Sequence, residues 1–225
     1  MNTGNPRAGL KRTDHGKFEN QLFREAGNMK IGIYGGSFNP VHNGHIHLAL
    51  SAIEELKLDK IYLVPSGISP HRSSAEYASP EDRLAMLKLA CDVSEKLDVC
   101  DYEIKSERKS YTIYTIKEFR RRFSDDELFL LVGSDMLMIF EKWNQFEDIL
   151  KEVTLVVVSR KNGDIEILRE KAEKLRKYGK ITICGTEPME VSSTEIRKKI
   201  EKNEKFSCYL DKNVVQYITS KNLYR

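Results

Sequence analysis

After Met29 the spacing of apolar positions switches repeatedly between two regimes: short continuous runs suited to buried strands, and the three-to-four spacing of amphipathic helices. The runs KIGIYGG, KIYLVPSG, DVCDYEI, ELFLLVGSD, VTLVVVSR and KITIC predict six strands. Between the first two lies GHIHLALSAIEELK, whose Ile46, Ala49, Leu50, Ile53 and Leu56 share one helical face. SPEDRLAMLKLACDV predicts a second helix, with Ser79 as N-cap, Pro80 at its first position and acids in its first turn. TIYTIKEFRRRF reads as a helix, and MLMIFEKWNQFEDIL as a helix or broken helix. A helix over residues 165–178 is closed by Gly179, and two more, over 193–202 and 212–221, finish the chain.

Strands alternating with helices of this length predict the α/β class: a Rossmann-like parallel sheet with helices on both faces. Ligands of such sheets bind outside the carboxyl ends of the strands, near the point where strand order reverses. The segments to inspect are therefore YGGSFNPVH, VPSGISPHR, VGSD and VSRKNG.

Composition narrows the class. The chain has 225 residues, 40% hydrophobic and 32% charged, enough for one well-cored domain. No apolar run reaches the roughly 18–20 residues of a membrane span, and residues 1–28 show no apolar core followed by a small-residue cleavage site, so no secretory signal is expected in them. The expectation is a cytoplasmic protein with no membrane partner. Cys91, Cys100, Cys184 and Cys208 form no CxxC pair and suggest idle thiols. The net charge of +3 is concentrated in residues 1–28, and segments such as EILREKAEKLRKYGK mix both signs. No basic stripe marks a nucleic-acid partner. Residues 1–28 are polar and aperiodic, and read as a disordered extension, as sequence upstream of a start at Met29, or as a regulatory arm. Residues 29–225 read as a single domain.

The chemistry concentrates in GIYGGSFNPVHNGHIHLAL, which holds His42, His45 and His47. It is neither a Walker loop nor a GxGxxG fingerprint. Gly35 and Gly36 allow close backbone approach, and the following helix start favours an anion. A shared metal is disfavoured. His45 and His47, two apart on a helix, point about 200° away from each other, so only His42 and His45 converge. Two imidazoles beside free backbone N–H groups suit a phosphate gaining charge in a transition state. The second candidate, MEVSSTEIRKKI, reads locally as a capping box of Ser192 and Glu195 with a Val191–Ile196 staple. It also reads as an anion cradle, with Arg197 four residues past Ser193 on one face.

GSFNPVHNGH resembles the HxGH signature of the nucleotidyltransferase superfamily, and VSSTEIR resembles the [IV]-S-S-T-x-[IV]-R motif of its adenylyltransferases. VPSGISPHR, KSYTIYT, LLVGSDMLMIFEKWNQFEDIL and LDKNVVQYITSKNLY resemble further segments of the bacterial nicotinate-nucleotide adenylyltransferases. The resemblance spans residues 29–225. It implies transfer of the adenylyl group of ATP to nicotinate mononucleotide, giving deamido-NAD and pyrophosphate. Mg²⁺ would arrive on the ATP phosphates, with no protein metal site. It also implies site residues. His42, His45 and Arg197 would be catalytic; Gly36, Ser37, Phe38, Gly133, Asp135, Ser193 and Thr194 would hold ATP. His71, Arg72, Tyr111, Thr112, Trp143 and Asn144 would hold the mononucleotide.

Several local readings stay open beside these. Asp135 also suits an N-cap, Trp143 also suits the core, and His71 with Arg72 also suits an exposed loop. Arg72 and Tyr114 stand where the family usually has lysine and an acid, and SRKNG replaces an RPG-like turn at Arg160. Alternatives of function are a sibling nucleotidyltransferase, an enzyme using nicotinamide mononucleotide, and a nucleotide-binding protein without catalysis. Oligomeric state is not legible in the chain.

Overall fold

A computed structural model describes residues 28–67, 78–106, 108–159, 165–185, 189 and 191–225. Residues 1–27, and with them all but the last residue of the expected N-terminal extension, lie outside the described residues, as do His71, Arg72 and Arg160. The strands are β1 (Lys30–Gly36), β2 (Lys60–Pro65), β3 (Leu97–Val99), β4 (Glu127–Gly133), β5 (Thr154–Val158) and β6 (Ile181–Cys184). The α-helices are α1 (Asn43–Leu56), α2 (Pro80–Cys91), α3 (Tyr102–Lys105), α4 (Thr112–Arg122), α5 (Ser134–Met138), α6 (Phe146–Glu152), α7 (Ile165–Leu175), α8 (Ser193–Glu201) and α9 (Lys212–Ser220).

All strands pair in parallel in the order β3-β2-β1-β4-β5-β6. From β1 the chain runs outward to one edge, returns, and pairs β4 on the other side of β1. The order reverses between β1 and β4, so the loops leaving these two strands diverge and open a crevice there. Tyr34 lies opposite Leu131, and Gly36 and Gly133 each follow two residues further along the paired strands.

Strand alternation divides the core in two. Phe129 and Leu131 of β4 face a core completed by α1, α2, α8 and α9. Leu128, Leu130 and Val132 face the other, completed by α4, α5, α6 and α7. The sheet is thus covered on both faces, as parallel sheets require.

One local expectation is corrected, and two are refined. The buried face of α1 centres on Leu48, Ala49, Ala52 and Ile53. Ile46, Leu50 and Leu56 only flank it; two alanines let the helix lie close to the sheet, which bulk alone does not signal. DVCDYEI is not one strand: β3 ends at Val99, and Tyr102–Lys105 turns into α3. The stretch after β4 takes the broken-helix alternative, as α5, a 3₁₀ turn over Phe140–Lys142, and α6.

The expected caps form. Ser79 Oγ accepts the Asp82 N–H at 3.0 Å, with Pro80 opening α2. Ser192 Oγ accepts the Glu195 N–H at 3.2 Å. Its hydroxyl donates to Glu195 Oε2 at 3.0 Å, so the glutamate closes on the hydroxyl and not on the backbone. All four thiols are free, Cys91, Cys100 and Cys184 buried and Cys208 exposed. Among the described residues no helix is long and apolar enough to cross a membrane.

Candidate active site

The turn from β1 into α1 is built around Phe38. Its backbone is left-handed (φ 45°) and its ring is fully buried. The ring stands edge-on to Tyr34 (centroids 5.5 Å) and to His45 (5.0 Å). A side chain at Gly36 would meet this ring at 3.0 Å, whereas the space above Gly35 is open. The missing side chain at Gly36 thus seats Phe38, and Gly35 offers the accessible backbone.

His42 is the N-cap of α1, extended at φ −142°. Its backbone N–H donates to His45 Nδ1 at 3.1 Å. The two imidazoles stack with centroids 3.6 Å apart and planes 25° apart. An HxxH pair at a helix start therefore acts like a capping box, with imidazole in the place of carboxylate. The bond assigns a tautomer: with Nδ1 accepting, a neutral His45 carries its proton on Nε2 and donates from that edge. His47 is half-buried, two positions along α1. Among the described residues no three His, Cys, Asp or Glu gather as a metal-ligating group.

The two motifs meet. Ser193 Oγ donates to the Pro40 carbonyl at 2.9 Å, and Arg197 Nη1 donates to the Asn39 carbonyl at 2.9 Å. A Cβ on Gly44 would lie 2.7 Å from Val191 Cγ1 and 3.1 Å from His42 Nδ1. The glycine of HxGH is thus where the lead into α8 presses on α1. The start of α8 is brought beside the loop that leads into α1, at the carboxyl end of β1. Thr194 is exposed on the first turn of α8, and Ser37 lies in the turn after β1.

The other expected residues divide by face. Gly133 ends β4 and is the N-cap of α5, which overturns the N-cap reading of Asp135. Asp135 is exposed in the first turn of α5, at the strand that borders β1. Tyr111 precedes α4, whose first residue is Thr112, and the Tyr111 ring packs edge-on to Tyr114. Trp143 is half-buried, 5.0 Å from Phe140, and its buried indole N–H meets no acceptor among the described residues. Asn144 beside it is exposed. Tyr111 and Trp143 pack on the α4–α7 core, while Phe38 and Val191 pack on the opposite one.

Four residues of this site escape pattern reading. Arg83, 2% exposed, donates to the Ser37 carbonyl at 2.8 Å and to the Ser66 carbonyl at 2.7 Å. It straps together the loops leaving β1 and β2. Its signal was an arginine inside the apolar stripe of Met86, Leu87 and Ala90. Asn39, 1% exposed, accepts at Oδ1 from the Ala78 N–H (3.0 Å) and the Tyr224 hydroxyl (2.8 Å). Glu103, buried, accepts from Thr115 Oγ1 at 2.6 Å. Burial pushes its carboxyl above the ordinary range, while hydrogen bonds from Thr115 and Ser110 oppose the rise. Ser110 Oγ accepts the Gly67 N–H at 3.0 Å, and a side chain at Gly67 would collide with the Glu103 carbonyl. The start of α4 is thereby tied to the exit of β2.

Comparison with known proteins agrees with this architecture. A cytidylyltransferase-like family profile matches residues 33–199. A Clostridium tetani protein named a probable nicotinate-nucleotide adenylyltransferase is 38% identical over 198 residues, covering 87% of this chain and 99% of its own length. An Idiomarina loihiensis protein of the same name is 35% identical over 206 residues, covering 85% and 98%. The structure of Plasmodium falciparum nicotinic acid mononucleotide adenylyltransferase complexed with NaAD superposes with a TM-score of 0.73. It shares 21% identity, covering 88% of this chain and 98% of the other.

Proposed function

This chain belongs to the nicotinate-nucleotide adenylyltransferases, within the cytidylyltransferase-like family, and from that premise we propose how its residues divide the work. The reaction transfers the adenylyl group of ATP to nicotinate mononucleotide and yields deamido-NAD and pyrophosphate. A 5′-phosphate oxygen of the mononucleotide bonds to the α-phosphorus. The bond from that phosphorus to the bridging oxygen breaks, and pyrophosphate leaves in line. No covalent enzyme intermediate is needed, so catalysis rests on positioning and charge stabilisation.

The observation that carries this division is the junction of the two motifs, made by Arg197 on the Asn39 carbonyl and Ser193 on the Pro40 carbonyl. It sets the start of α8 beside the loop into α1, and helix starts favour anions. His45 donates from Nε2 to the α-phosphate as its charge grows, and His42, stacked on it, supports the same group. Arg197, Ser193 and Thr194 hold the β- and γ-phosphates that depart. Gly36, Ser37 and Phe38 form the wall of the nucleotide loop. Gly133 and Asp135 meet ribose hydroxyls from β4.

The mononucleotide lies over the other core. Tyr111, Thr112, Trp143 and Asn144 bound the pyridine ring, and His71 with Arg72 reach its phosphate. The two substrates thus approach from the two faces of the sheet and react above the reversal between β1 and β4. Magnesium comes with the nucleotide, as MgATP. The donors at this loop are imidazoles, hydroxyls and amides, which suit an ion held mainly by phosphate oxygens and water.

The test is pyrophosphate release from MgATP with nicotinate mononucleotide and, separately, with nicotinamide mononucleotide. A kcat/KM at least tenfold higher for the acid supports the proposal. Equal values would remove the preference for the acid, and no release with either would remove the enzymatic reading.

A further inference from the structure

Three separate parts of the chain converge on one buried residue, Asn39. Asn39 lies in the loop between β1 and α1; Ala78 leads into α2; Arg197 belongs to α8; Tyr224 is the second-last residue. The Asn39 Oδ1 has two lone pairs, and the Ala78 N–H and the Tyr224 O–H occupy them at 3.0 and 2.8 Å. The Asn39 carbonyl orients Arg197, and the next carbonyl, of Pro40, takes the Ser193 hydroxyl.

Tyr224 reaches this point by a specific route. After α9 the chain turns back through the Leu223 N–H, bonded to the Ile218 carbonyl at 3.1 Å. Asn222 and Tyr224 both adopt left-handed backbone, at φ 53° and 64°. A tyrosine holds that conformation only where surrounding contacts over-determine it. Here Tyr224 packs on the core of α1, α2, α8 and α9. Nearby, Tyr217 Oη donates to Asp82 Oδ1 at 2.8 Å, so α9 is also anchored on α2.

We propose that Tyr224 is a positioning residue for adenylyl transfer, a C-terminal latch whose hydroxyl fixes Asn39 and, through it, the loop that presents Arg197 and His42 to the triphosphate. The inference rests on the division of roles given above. Without the hydroxyl, the Asn39 Oδ1 loses one of these two acceptor bonds, and the amide is held less firmly. The loop then loses a single orientation although its core packing is intact. Burial keeps the phenol well above its ordinary range, against the pull of Arg197 and Arg83, so it stays a donor throughout neutral pH. Because all these contacts lie on the α8 side of the sheet, the effect falls on ATP and not on the mononucleotide.

The test is steady-state kinetics of the full-length Tyr224→Phe chain, which keeps the ring and removes only the hydroxyl. The expected result is a KM for MgATP raised about 3- to 10-fold, the scale of one hydrogen bond. The KM for nicotinate mononucleotide stays within twofold. In an Asn39→Ala background the same substitution adds nothing; if that background does not fold, Tyr224→Phe alone decides. An unchanged KM for MgATP in an otherwise active chain overturns the latch. So does an equal rise for both substrates, which is the sign of general loosening. If the wild-type chain releases no pyrophosphate, the enzymatic reading fails, and the latch falls with it.

Discussion

The guanidinium of Arg197 donates to the main-chain carbonyl of Asn39 over 2.9 Å, bridging 158 positions of sequence. That bond turns two helix starts into one site. Each motif alone has a plain structural use: His42 and His45 cap α1, and Ser192 caps α8. The junction gives them a common direction, because a guanidinium fixed at one N–H has its fork oriented for a second partner.

His45 has two separable duties, accepting the His42 N–H through Nδ1 and donating from Nε2. Asparagine can supply the acceptor but not the second donor. His45→Asn is expected to lower kcat by about 10² or more, the scale of one lost oxyanion donor, with a melting temperature near wild type. His45→Ala is expected to show the same kcat loss and, in addition, a destabilisation of about 1 kcal/mol from the missing cap. Thermal melts beside turnover assays separate the two; near-normal kcat in the asparagine variant would remove His45 from the chemistry.

Gly44 is where α1 and the lead into α8 touch, with Val191 Cγ1 2.7 Å from the position a Cβ would take. Gly44→Ala is expected to destabilise the fold by about 1–3 kcal/mol through overpacking and to lower kcat, because the two helix starts are pushed apart. Val191→Ala in the same chain removes the obstructing methyl. Partial recovery of both melting temperature and kcat in the double variant is the expected result, and strictly additive losses would contradict the contact.

Glu103 supplies a pH dependence whose expected sign follows from its burial. Burial raises its folded pKa above the ordinary glutamate value of 4.5. A raised acid stabilises the fold fully below that value and loses the contribution as pH rises through the folded pKa. Glu103→Gln does not titrate. The melting temperature of the variant minus that of the wild type is therefore expected to increase from pH 4 toward neutrality. A flat difference would show that Glu103 ionises normally, and a falling one that its folded pKa lies below the ordinary value.

Thiol reactivity is expected to single out one cysteine. Burial pushes Cys91 and Cys184 up to about 12 and raises Cys100 as well, while Cys208 is exposed. At pH 8 an aromatic disulfide reagent should modify one thiol per native chain, all four after denaturation, and none rapidly in native Cys208→Ser.

Much of this protein was written locally. The six strands were visible because parallel strands buried on both faces are continuous apolar runs, and their alternation with helices implied the sheet. Ser79 and Ser192 were recognisable as caps because a cap and its partner lie three residues apart. The separation of His47 from His42 and His45 followed from the helix period alone. DVCDYEI misled for the same local reason: Tyr102, Glu103 and Ile104 suit a strand by pattern, but the chain turns into α3, where Glu103 meets Thr115 and Ser110.

What the sequence by itself determined was therefore the order of elements, the α/β class and the two motifs that carry the resemblance. Only the tertiary structure decided that Arg197 and Ser193 rest on Asn39 and Pro40, that Arg83 straps Ser37 to Ser66, and that Tyr224 closes on Asn39. The reason is physical. Four of those acceptors are main-chain carbonyls, which every residue owns, so the choice of partner leaves no mark on side-chain identity. Periodicity and capping act within about four residues. The contacts that assemble this site span from 17 to 185 residues, and three-dimensional packing alone selects them.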